Sequence, residues 1–174
     1  LATYRPLHQY DWIGKLQVLD QLPEVKVRLI EEPLAERVIA QNMPALSDVD
    51  DNVSRKVREQ YEESPFPRWV KLGIASKVKS VAEVCNDIKL QLHSENIKSF
   101  LSPSILIAGC GTGQQSIESA SRFDNCEVTA VDLSRASLAY AQRKTSELGI
   151  TNVKYLQADI LNLGELGQEF DIIE

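Results

Sequence analysis

An unbroken apolar run, Ile105-Leu106-Ile107-Ala108, passes without a spacer into Gly109-Cys110-Gly111-Thr112-Gly113, and Gln114 to Phe123 then has helical composition. Few folds accept that order. A short run without polar alternation is a strand covered on both faces, which is the condition of a parallel sheet. Three glycines at alternate positions between strand and helix mark a tight turn where a ligand approaches the bare backbone and any Cβ would collide. The unpaired N–H groups opening the next helix favour a negatively charged ligand group there.

The pattern repeats downstream. Glu127-Val128-Thr129-Ala130-Val131 reads as a second strand closed by Asp132, and Ser134 is placed to cap a helix that Gly149 ends. Leu138, Ala141 and Leu148 mark that helix's buried stripe, while Arg135, Arg143, Lys144 and Glu147 are expected to face water. Val153 to Gln157 is a third strand, followed by Ala158-Asp159-Ile160, and Phe170 to Ile173 begins a fourth. The order β-α-β-α-β-loop-β predicts an α/β fold, a parallel sheet with right-handed crossovers.

Upstream, residues 1–50 read as short helical pieces broken by Pro6, Pro23, Pro33 and Pro44. Pro33 suits a first helical turn, and Leu34, Val38 and Ile39 follow as one apolar stripe. The run 48–52 offers N-caps for a helix over about 51–62 whose Val53, Val57 and Tyr61 share a face. Pro65 and Pro67 forbid a helix across Glu62–Trp69. Ser80 and Glu83 form a capping box ahead of Val81, Val84, Cys85, Ile88 and Leu92 at helical spacing. Three divisions follow: a helical lead-in with a proline and aromatic segment (1–69), a helical entry (70–103) and the sheet region (104–174).

Composition narrows the function. Lys and Arg number 19 against 25 Asp and Glu, a net charge of −6, so nucleic-acid binding is not indicated. No apolar stretch approaches the roughly 18 residues that span a bilayer. Three cysteines, Cys85, Cys110 and Cys126, fit neither a disulfide framework nor a zinc cluster, no metal site is expected, and a reducing cytoplasm is. The chain opens at Leu1, has Met43 as its only methionine and stops in an apolar run, so it reads as cut from a longer polypeptide. Four parallel strands with one side missing predict self-association through the last strand.

Over 104–174 the sequence resembles the class I S-adenosylmethionine-dependent methyltransferases, a Rossmann-like family whose first four strands would be present here. Their first motif, a strand ending in G-x-G-x-G, is matched by Ile105 to Gly113; their second, an acid closing the second strand, by Asp132; their third, an acid after the third strand, by Asp159. The resemblance implies S-adenosyl-L-methionine as cofactor and an unidentified methyl acceptor. Gly109, Gly111 and Gly113 would leave room for the methionine portion, with Cys110 beside it as a small packing residue. Asp132 would hold the ribose hydroxyls, Leu133 and Ile160 would sandwich the adenine, and Asp159 would accept from its exocyclic amine. The residues themselves agree, since a purine wants two apolar faces and a ribose wants a carboxylate. A nicotinamide-dependent oxidoreductase is the competing enzyme, opposed by Gln114 where the dinucleotide fingerprint has its third glycine. A non-catalytic binding or assembly module is the other alternative.

The segment Tyr61-Glu62-Glu63-Ser64-Pro65-Phe66-Pro67-Arg68-Trp69 resembles the Y-E-x-x-P-[YF]-P-R-W stretch before the methyltransferase domain of bacterial proteins that also carry tetratricopeptide repeats. It reads as a lid. Tyr61, Phe66 or Trp69 would face the sulfonium and Arg68 the cofactor carboxylate; alternatively the aromatics only glue the helical region to the sheet. Glu62 and Glu63 read as a solvated helix end, His8 and His93 as surface, and Met43, Cys85 and Cys126 as core. No catalytic residue is assigned.

Overall fold

The computed structural model describes residues 5–15, 21–91, 96 and 99–174; Leu92 and His93 lie outside them. Helical turns at Leu7–Gln9 and Ile13–Lys15 precede α1 (Pro23–Lys26), a π-helical turn (Val27–Glu31) and α2 (Glu32–Gln41). Next come α3 (Asn52–Glu63) and α4 (Val81–Asp87). The sheet region follows as β1 (Ser104–Ala108), α5 (Gln114–Arg122), β2 (Glu127–Asp132), α6 (Arg135–Glu147), β3 (Val153–Gln157), a 3-10 helix (Ile160–Leu166) and β4 (Ile172–Ile173). The strand order is β3-β2-β1-β4. All three pairings are parallel, with Ile105 beside Val128 and Ile172. This is a Rossmann-like α/β sheet.

The pleat sorts the core into two layers. Ile105, Ile107, Val128 and Ala130 face α4, α5 and α6, meeting Val84, Ala120, Leu138 and Ala141 together with Met43, Cys85 and Cys126. Leu106 and Val131 point the other way, onto Ala158 and the partly buried Leu46, Leu163, Leu166 and Phe170. All three cysteines are buried and unpaired.

Several expectations need correction. Pro33 falls in the first turn of α2, as expected, yet α2 continues one helical run, 23–41, and the π-helical turn stands just before it. Such a turn is where a helix absorbs a ring that crowds the preceding turn and an amide that is missing. Leu34 and Val38 are exposed, and α2 turns its buried Glu36 inward instead. Arg143, expected in water, is 8% exposed. It pairs with Glu36 at 2.8 Å and Glu32 at 3.2 Å, so charge joins α2 to α6, while Ile39 alone of the expected stripe packs against the core. Leu148 is exposed, falling at the C-cap of α6. The capping box at Ser80 forms, yet α4 stops at Asp87 and leaves Ile88 exposed. Lys89 follows with a positive φ of 53°, which ends the helix.

Candidate functional site

The glycine bend wraps over the tip of β2. Gly109 and Cys110 both donate their N–H groups to the Val131 carbonyl at 2.9 Å. Asp132, the last residue of β2, accepts the Gly111 N–H on Oδ2 at 2.8 Å and the Ser134 N–H on Oδ1 at 2.9 Å. One carboxylate thereby ties the bend to the start of α6, while Ser134 caps that helix by accepting from Ser137 N at 3.0 Å. Burial raises the Asp132 pKa above the ordinary aspartate value, and the backbone N–H groups pull against that rise. Burial also lifts the Cys110 thiol above its usual range, aided by the Asp132 charge.

The three glycines divide by task. Gly109 (φ +82°) and Gly111 (φ +52°) face open space where a Cβ would stand, the condition for close approach of a ligand. At Gly113 (φ +84°) a Cβ would fall 2.6 Å from the Ala141 Cβ and 3.0 Å from the Tyr155 hydroxyl. Its bareness lets α5 and α6 pack. The expected room for a ligand is therefore found at Gly109 and Gly111 and not at Gly113.

Above the bend lies a crevice of about 570 Å³. Gly109, Cys110, Gly111 and Thr112 of the bend line it, with Asp132, Leu133 and Ile160 beside them. Ile160 is 57% exposed, which leaves its side chain available to a ligand. Among the described residues that line it, Asp132 is the one that carries a charge. Among the described residues no cluster of His, Cys, Asp or Glu could hold a metal ion.

Residues 105–174 match the family described as "Methyltransferase domain". The (S)-coclaurine N-methyltransferase of Papaver somniferum is 37% identical over 84 residues, covering 48% of this chain and 24% of that protein. The release factor glutamine methyltransferase of Flavobacterium psychrophilum is 38% identical over 81 residues, 45% of this chain and 28% of that protein. This chain thus spans about a quarter of either. Among solved structures, PKMT2 from Rickettsia typhi in complex with AdoHcy aligns with a TM-score of 0.38 at 30% identity, covering 41% of this chain and 14% of that one.

The opposite wall of the crevice comes from outside the matched stretch. Val57 and Tyr61 of α3 line it, with Phe66 and Pro67 from the proline segment. The exposed α3 face at Val53, Val57 and Tyr61 thereby gains a reason: two of its three members border the crevice. Phe66 is 73% exposed. Trp69 behaves differently. It is buried, packs edge-on against Tyr140 at 5.8 Å, and donates Nε1–H to the Thr112 carbonyl at 3.0 Å. Thr112 returns a bond from its hydroxyl to the Pro67 carbonyl at 2.7 Å.

Two further site residues lie off the crevice. Arg68 is not among its lining residues; it lies 3.0 Å from both carboxylate oxygens of Glu36, with its guanidinium 4.7 Å from the Tyr140 ring centre. Asp159 is buried and caps the 3-10 helix, accepting Leu161 N–H at 3.0 Å. Glu62 lies at the exposed end of α3, as expected, but it is not idle. Its carboxylate accepts the backbone N–H groups of Arg135 at 2.5 Å and Ala136 at 3.2 Å, clamping α3 to the positive end of α6. Sequence reasoning missed Val57, Pro67, Thr112, Gln114, Gln115 and Ser137 as lining residues. For Thr112, Gln114 and Gln115 the signal was present, since they flank the glycines.

Proposed function

We propose that the crevice takes S-adenosylmethionine and that the chain supplies the cofactor-binding part of a methyltransferase. The observation that carries the reading is the placement of Asp132 at the crevice edge beside two glycines that face open space. When bound, that cofactor supplies a methyl group activated on a sulfonium. Gly109 and Gly111 make room for the methionine portion. Asp132, held by the Gly111 and Ser134 amides, keeps lone pairs for a ribose diol. Leu133 and Ile160 offer the apolar faces a purine needs. Asp159 acts one step back, by fixing the turn that presents Ile160. Tyr61 and Phe66 supply aromatic surface on the facing wall, where a cation is stabilised by a ring face. What this chain's residues do is bind and align; methyl transfer to an acceptor needs chiefly that alignment.

The relatives support methyl transfer in general and leave the acceptor open. Three unpaired, buried cysteines favour a reducing compartment, and we place the chain in the cytoplasm. Among the described residues no helix is long and apolar enough to cross a membrane. The Tyr61–Trp69 resemblance supports a place among methyltransferases linked to tetratricopeptide repeats. Calorimetric titration with S-adenosylhomocysteine and with NAD tests the proposal. Binding of the first alone, lost in Asp132→Ala, is expected; binding of NAD alone would overturn it.

A further inference from the structure

The strap Pro65–Trp69 is held from two sides. On the crevice side, Trp69 and Pro67 are joined to Thr112 by the two bonds already described. On the far side, Arg68 meets both oxygens of Glu36 at 3.0 Å, and Glu36 Oε1 also accepts from Arg143 Nε at 2.9 Å. The Tyr140 ring lies within 4.7 Å of the Arg68 guanidinium and 5.2 Å of that of Arg143, and its hydroxyl donates to the Trp69 carbonyl. A carboxylate buried in mid-helix is costly unless cations hydrogen-bond to it, so Glu36 holds its partners in one arrangement. Arg143 joins α2 to α6 from within α6. The second arginine comes from the strap and ties it to both helices, to α2 through Glu36 and to α6 through the Tyr140 ring.

We propose that Glu36 is a positioning residue for the crevice. It fixes Arg68, and with it the strap, so that Pro67 and Trp69 hold Thr112 and the glycine bend in the geometry that receives the ligand. The inference rests on the crevice being the S-adenosylmethionine site.

The test uses the whole chain carrying Trp12→Phe, which leaves Trp69 as its only tryptophan. Affinity for S-adenosylhomocysteine is measured by calorimetry and the surroundings of Trp69 by its emission. Glu36→Gln and Arg68→Ala should each weaken binding roughly tenfold and shift the emission to the red. Ile39→Ala is the control: it thins the packing of the same helix without touching the strap, and should lower the melting temperature while leaving both readouts as in the parent. Arg68→Ala, at a half-exposed side chain, carries the test if Glu36→Gln does not fold. A parent that binds while both variants bind equally well overturns the inference. So does a control that weakens binding as much as they do, since Glu36 would then be merely structural. A parent that binds no S-adenosylhomocysteine overturns the proposed function, and the inference with it.

Discussion

Gly109 and Gly113 share a positive φ and differ in what stands opposite, so alanine at each should fail differently. Gly113→Ala drives a Cβ against Ala141 and should cost about 2–4 kcal/mol in urea denaturation, from overpacking added to left-handed strain. Gly109→Ala meets no protein atom and should lose only about 1–2 kcal/mol of stability, while affinity for S-adenosylhomocysteine falls further than stability does. Asp132 carries a pH signature. Its folded pKa lies above the unfolded value because the carboxylate is desolvated. Its contribution to stability is therefore fully present below the unfolded pKa and is lost as pH rises through the folded one. Ligand affinity runs the opposite way, since the ionised form accepts from a ribose diol. Calorimetry should show affinity declining on acidification at a pH above that of an ordinary aspartate, and Asp132→Asn should flatten the profile.

At the level of elements, α6 is the hub on which the crevice is built. Its first turn is secured twice, by Ser134 from within and by Glu62 from α3. Ser134→Ala should cost about 1 kcal/mol. Glu62→Gln should cost about 0.3–1 kcal/mol, shrinking with added salt, because it removes a charge facing a helix dipole; thermal melts at two ionic strengths separate the two. These elements also show what was legible in advance. Strand β3 was readable in full, because a short strand-forming stretch bounded by turn residues is a local signal. Arg143 was not, nor was Glu36. Each sits in a helical pattern where charge normally marks the wet face, and the pair is separated by 107 residues. The crevice floor was readable because Gly109 to Asp132 is one β-α-β unit. The facing wall was harder, because Val57 and Pro67 take their role from how α3 and the strap lie across that unit, which no local spacing encodes.

Across the described residues, β4 is the strand beside β1 with no further strand paired to it, two residues long with Ile173 67% exposed. An open edge beside an apolar side chain invites pairing with another chain. For this 174-residue chain we propose self-association through that edge: sedimentation velocity should show it as concentration-dependent, and Ile173→Lys should abolish it. At the other end of the sheet, residues 44–46 run along the tip of β3: Gln157 donates to the Pro44 carbonyl at 2.8 Å and accepts from Leu46 N at 2.9 Å. Among the described residues that edge is bridged at Gln157 alone, by Ala45. A ligand at 100 times its dissociation constant adds about 2.7 kcal/mol to stability.

The bond from Gly111 to Asp132 gives the bend a backbone anchor inside the protein itself. A receptor loop tethered by its own carboxylate has surrendered much of its disorder beforehand. Recognition can then proceed as docking into a standing mould, and a partner group that needs the same oxygen must share it with the peptide nitrogen already there.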